Sequence, residues 1–94
     1  MKNYCMTAKI NVDFFSGGIS DTLTVTVNRH GIKESQSVDF NGGTMTFNNV
    51  SSNDSIKIDG HCLGKAVVTI DVPLNNDPKP SYPAGNILDF FTVN

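Results

Sequence analysis

The sequence predicts an all-β fold, a single antiparallel β-sandwich of about seven short strands, and three observations carry that prediction. Val, Ile and Thr supply 24 of the 94 residues, whereas Ala, Leu, Glu and Arg together supply nine; β-branched residues suit a pleated surface, and helix formers are nearly absent. Apolar and polar residues alternate with a period of two over most of the chain. Turn signals recur roughly every 8 to 12 residues, the spacing of two packed sheets. A small five- or six-stranded β-barrel is the alternative closure. At this length one domain, residues 1–94, with one core is expected.

The first strand is read from Tyr4 to Phe14, with Tyr4, Met6, Ala8, Ile10, Val12 and Phe14 on one face and Cys5, Thr7, Lys9, Asn11 and Asp13 on the other. Ser16-Gly17-Gly18 breaks it. Thr22 to Asn28 alternates again, with Leu23, Val25 and Val27 inward and three threonines outward. Asn28-Arg29-His30-Gly31 reads as a turn into a weaker strand, Lys33 to Phe40, whose inward apolar positions are Val38 and Phe40. Its polar run from Glu34 to Ser37 places it at a sheet edge.

Asn41-Gly42-Gly43 signals a hairpin, because residues that accept positive φ sit where the chain must reverse. Thr44 to Asn48 follows with Met45 and Phe47 inward, then a polar connection from Val50 to Asp54 and a short strand from Ser55 to Asp59 closed by Gly60. Lys65 to Val72 alternates until Pro73, which cannot extend a ladder. Asn75 to Asn86 reads as a twelve-residue structureless loop with three prolines, a length often associated with function. Ile87 to Val93 is the last strand; within it Phe90-Phe91 requires one ring to face away from the core.

Seven basic and nine acidic residues give a net charge of -2, scattered along the chain. That balance offers no electrostatic footprint for nucleic acid or anionic membrane. No apolar run is long enough for membrane insertion, and the start, Met1 to Thr7, lacks the apolar core of a signal peptide. An initiator-like Met1 running straight into strand pattern leads to the expectation of a chain that is not secreted by that route. Cys5 and Cys62 allow at most one bridge and are read as free thiols.

Candidate chemistry is sparse. His61 and Cys62 are adjacent, but strand neighbours point to opposite faces, so the imidazole does not reach the sulfur. His30 and Cys5 complete no spacing that builds a zinc site locally. Ser, His and Asp co-occur without a nucleophile elbow, and no phosphate loop is present. Eight of the nine carboxylates are Asp, placed at strand ends and turns where they cap backbone amides. Asn49-Val50-Ser51 and Asn53-Asp54-Ser55 match the glycosylation pattern and read as turns. No residue is assigned a catalytic, cofactor-binding or metal-ligating role, and no cofactor is expected. Partner contact is assigned to Tyr82 between Pro80 and Pro83, offered as a rigid aromatic platform, together with Phe15 and Phe91.

The segment TMTFNNVSSNDSIKIDG, from Thr44 to Gly60, resembles the strand, polar turn and strand of immunoglobulin-like and transthyretin-like modules. The antibody-type cysteine pair and tryptophan are not shared, since the two cysteines lie elsewhere and the chain has no Trp. Low-charge strands rich in Asn, Ser and Thr are similar to those of small capsid-decorating (auxiliary capsid) proteins of tailed bacteriophages. The resemblance implies a non-catalytic structural protein, a repeated component of a virion or cytoplasmic assembly, whose partners are proteins, either itself or a capsid protein. The alternative is a carbohydrate-binding or adhesive module using Tyr82.

Overall fold

The computed structural model describes residues 5–94 and contains seven strands: β1 (Met6–Phe15), β2 (Thr22–Arg29), β3 (Ile32–Val38), β4 (Gly43–Val50), β5 (Ser55–Cys62), β6 (Lys65–Ile70) and β7 (Gly85–Thr92). They form two antiparallel sheets, a three-stranded one in the order β4-β1-β6 and a four-stranded one in the order β3-β2-β5-β7. The chain is therefore all-β with two facing sheets. Tyr4, the first inward residue expected in β1, lies outside the described residues.

Period-two alternation fills the space between the sheets. Ala8, Ile10 and Val12 of β1, Met45 and Phe47 of β4, and Ala66 and Val68 of β6 meet Leu23, Val25 and Val27 of β2, Ile56 and Ile58 of β5, and Ile87 and Phe91 of β7. Full burial of one such aliphatic side chain contributes about 1.5–3 kcal/mol, so this layer dominates stability. β4 departs from simple alternation. Its register against β1 shifts between Met6 and Ala8, and Asn49 takes a left-handed φ of 61°. The extra residue of this bulge turns Val50 inward. Val50 thus ends the strand as a core residue, whereas the sequence placed it in a polar connection.

Only β2 and β3 are both consecutive and paired. His30 and Gly31 have φ of 52° and 89°, the handedness a two-residue hairpin requires. Asn28 Oδ1 accepts the Gly31 amide at 2.8 Å and closes the turn. At Asn41-Gly42-Gly43 the expected hairpin is corrected: the chain crosses from the edge of the four-stranded sheet to the edge of the other. Asp39 steers it, accepting the Asn41 amide on Oδ1 at 2.9 Å and the Gly42 amide on its carbonyl at 2.8 Å. Gly42 has φ of 69°, and a Cβ there would sit 2.4 Å from the Val12 carbonyl oxygen, so no side chain fits. β3 ends at Val38, and Phe40, expected inward, stands 44% exposed beyond it.

β3 is an edge strand, as its polar sequence predicts. Its inward side carries Glu34 and Gln36, and these close one flank of the sandwich. Arg29 Nη2 donates to Glu34 Oε1 at 2.7 Å and to the Asn48 carbonyl of β4 at 2.8 Å. Gln36 Nε2 donates to the Thr46 carbonyl of β4 at 2.7 Å. Side chains of one sheet thereby cover edge carbonyls of the other. The Arg29 hydrogen bond also holds the Glu34 carboxyl below its ordinary pKa.

The opposite flank, between β6 and β7, is closed by the segment read as structureless. Leu74 bridges to Val93, and Tyr82 bridges to Ala66, with backbone bonds of 2.7 and 2.9 Å in the latter. Asn76 Nδ2 donates to the Phe90 carbonyl at 3.3 Å. The prolines hold an extended path, and backbone pairing at two points anchors it.

Candidate functional site

The partner-contact residues expected from the sequence separate into two groups. Tyr82 is 3% exposed, so its assignment as a surface platform is corrected. Its ring packs into the core, and its hydroxyl donates to Asp89 Oδ2 at 2.7 Å while accepting the Lys79 amide at 3.3 Å. Burial, reinforced by the Asp89 hydrogen bond, pushes the phenol up to about 12. Phe91 is likewise corrected: it is 2% exposed, and Phe90, at 59%, is the outward ring. The register of β7 decides this, because Ile87, Asp89 and Phe91 share the parity that faces β5's partners across the core, and Leu88 and Phe90 the opposite one. Pro80 and Pro83 are exposed beside Tyr82, and Phe15 is exposed at the end of β1.

An apolar recess lies at the same end of the sandwich as Phe15. The sheets bring three connections to one end of the sandwich: β1 to β2, β3 to β4, and β5 to β6. Phe14, Gly17, Gly18, Ile19 and Phe40 line a shallow recess of about 270 Å³ there. Ile19 is 85% exposed at its rim. Leu63 joins from the β5–β6 corner, close enough to Gly18 that a Cβ on that glycine would lie 2.6 Å from Leu63 Cδ1. The Lys65 ammonium sits 5.1 Å from the Phe15 ring centroid, a cation–π contact that anchors the ring.

One buried carboxylate holds this tip together. Asp21 accepts the Leu63 amide on Oδ1 at 3.1 Å, and its own amide donates to the Gly18 carbonyl at 2.9 Å. The β1–β2 loop is thereby fastened to the β5–β6 corner. A Cβ at Gly17 would stand 1.8 Å from Asp21 Oδ2, so the loop passes over the carboxylate only with glycine there. Ile19 and Leu63 were missed as contact residues because they fall in turns, where alternation gives no direction, and Phe40 because alternation carried the third strand past Val38 and placed the ring inward. The available signal was that three turn segments each carry a large apolar residue among Gly, Ser, Asn and Asp.

The remaining nucleophile candidate is organised as a core residue. Cys62 is buried, donating from Sγ to the Pro83 carbonyl at 3.5 Å, while Cys5 is exposed, and both are free thiols. Burial first, and the negative charge of Asp21 second, push the Cys62 thiol up, which disfavours the thiolate that nucleophilic chemistry needs. Among the described residues no three His, Cys, Asp or Glu side chains come together as a metal-binding group, and no helix is long and apolar enough to cross a membrane. Asp39 and Asp54 both bond turn amides.

The outer faces carry paired polar side chains, with Leu88 and Phe90 of β7 exposed among them on the four-stranded sheet. On the four-stranded sheet Thr24 meets Ser37 at 2.7 Å and Thr26 meets Ser35 at 2.8 Å, hydroxyl to hydroxyl. On the three-stranded sheet Thr44 donates to Asn11 Oδ1 at 2.9 Å. Comparison with family models, curated proteins and solved structures finds no match to this chain.

Proposed function

We propose that this chain is a non-catalytic interaction module, a small repeated component of a larger assembly of the kind formed by the capsid-decorating proteins of tailed bacteriophages. The observation that carries the reading is the apolar tip, where Ile19, Phe40 and Leu63 are exposed and Phe15 is exposed at the same end, four of the large apolar side chains that the fold leaves in water; Ile32, Leu88 and Phe90 are exposed elsewhere. Such side chains contribute about 1.5–3 kcal/mol each when fully removed from water, and contiguous apolar patches mark protein contacts. The Asp21 carboxylate preorganises the tip, which lowers the ordering cost of binding. Many copies would multiply a weak contact through avidity. The pairing of β1 with β4 in one sheet and β2 with β5 in the other supports reading the sandwich as immunoglobulin-like.

The test is the native mass across a wide concentration range by light scattering, for the native chain and for an Ile19→Ser, Leu63→Ser double variant. A concentration-dependent oligomer that the double variant abolishes is expected. An oligomer unaffected by the variant, or a strict monomer throughout, removes self-association through the tip.

A further inference from the structure

The outer face of the four-stranded sheet carries a recess far from the tip, at the end where β2 turns into β3. It arises from a size pattern across the strands. In one cross-strand row Lys33 of β3, Asn28 of β2 and Ser55 of β5 lie side by side; in the next, Thr26 of β2, Lys57 of β5 and Phe90 of β7 do. Small side chains at Asn28, Ser55 and Thr26 make a floor, and the long ones at Lys33, Lys57 and Phe90 stand around it. The hollow is about 180 Å³, lined by these six residues and Ile56.

Its chemistry is one-sided. The single salt bridge among the described residues joins Arg29 and Glu34, so both lysines of the recess stand without a carboxylate partner. Asn28 Oδ1 is committed to the Gly31 amide at 2.8 Å, which fixes the carboxamide and leaves its NH2 as the group available to a ligand. Thr26 is engaged with Ser35 at 2.8 Å, leaving Ser55 as the freer hydroxyl. The floor and rim thus present two ammonium groups, an oriented amide donor and a hydroxyl, with the apolar face of Phe90, 59% exposed, as one wall.

We propose that this recess binds a monosaccharide bearing a carboxylate, an acidic sugar of the uronic type. The carboxylate takes the two lysines through charge-assisted hydrogen bonds. The ring hydroxyls meet Asn28 and Ser55, and the C–H face of the ring packs on Phe90. The volume suits one sugar ring and is below that of most drug-sized sites, so a terminal residue of a longer glycan or a free sugar acid fits, and a whole nucleotide does not. The inference is independent of the tip, and its failure leaves the assembly reading as it stands.

The test is titration of the isotopically labelled chain with glucuronate, glucose, inorganic phosphate and a nucleoside monophosphate, followed by amide chemical shifts. Glucuronate is expected to shift Thr26, Asn28, Lys33, Ser55, Lys57 and Phe90 with a Kd of order millimolar, and glucose to bind at least about tenfold more weakly. Lys33→Gln combined with Lys57→Gln removes the preference for glucuronate over glucose, and Phe90→Ala weakens glucuronate without affecting phosphate; the spectra themselves report that each variant is folded. Absence of shifts, equal binding of glucose and glucuronate, or phosphate or nucleotide binding as tight as glucuronate overturns the proposal.

Discussion

The Tyr82 hydroxyl donates to Asp89 Oδ2 at 2.7 Å, while the Tyr82 backbone exchanges two hydrogen bonds with Ala66. Asp89 belongs to β7 and Ala66 to β6, so one residue in a connecting segment ties the edges of both sheets together. Tyr82→Phe keeps the ring and loses the hydroxyl, leaving Asp89 short of a donor. It should destabilise by about 1–2 kcal/mol in urea unfolding, and Tyr82→Ala, which also opens a cavity, by about 3–5 kcal/mol. Equal effects of the two variants would show that the hydrogen bond, and not the ring, carries the contribution.

Alkaline pH should release the same fastening. The phenol ionises near 10 when unfolded and at about 12 when folded, so protons are held more tightly by the native state. The stability this confers is complete below pH 10 and is lost as pH rises through about 12. In a Tyr4→Phe background Tyr82 is the sole tyrosine. Its phenolate absorbance should then rise together with loss of near-ultraviolet dichroism, and a titration midpoint near 10 with the fold intact would contradict the buried assignment.

On the other flank, Arg29 and Gln36 cover the Asn48 and Thr46 carbonyls of β4. Arg29→Ala with Gln36→Ala exposes a strand edge ready to pair with another chain. Stability should fall by about 1 kcal/mol per lost bond, and light scattering on warming should show earlier aggregation than in the native protein. Loss of stability with unchanged aggregation would mean that the β4 edge is protected by something else.

Cys5 and Cys62 should differ sharply in reactivity. Cys5 is exposed, whereas burial and Asp21 disfavour the Cys62 thiolate. With a thiol-alkylating reagent at neutral pH, peptide mass spectrometry should find label on Cys5 first, and on Cys62 only at the rate of local or global opening. Preferential labelling of Cys62 in the native state would revive it as a nucleophile.

Strand positions were legible because burial of one face imposes a period of two, and β1, β2 and β5 follow it closely over most of their length. Where the chain goes between strands was much less so. Asn41-Gly42-Gly43 announces a reversal, but positive φ is equally useful for changing sheets, and the deciding contact, with the Val12 carbonyl, is to a residue about thirty positions earlier in the chain. Phe90 and Phe91 occupy both parities of β7, and only the pairing of Ile56 with Phe91 fixes which ring is inward. Tyr82 sits among prolines as a loop residue would, and its partner Asp89 is an inward-facing carboxylate that alternation alone would have judged misplaced. The tip was hidden for a related reason: Ile19, Phe40 and Leu63 come from three connections far apart in sequence and reach one end of the sandwich only because three crossings fall there.

The scarcity of neighbouring pairings shapes how the chain must fold. Apart from the β2–β3 hairpin, each ladder joins strands separated by at least one other strand, with β1 waiting for β4 and β6, and β5 for β7. Each such pairing closes a long loop before it gains any contact, so the entropic barrier comes early and the compensating burial late. Folding on the millisecond-to-second scale is the expectation for this topology, slower than for a helical bundle of similar size. Unpaired strands stay exposed during that interval, and the hairpin closed by Asn28 and Gly31 is the one local structure from which the search can begin.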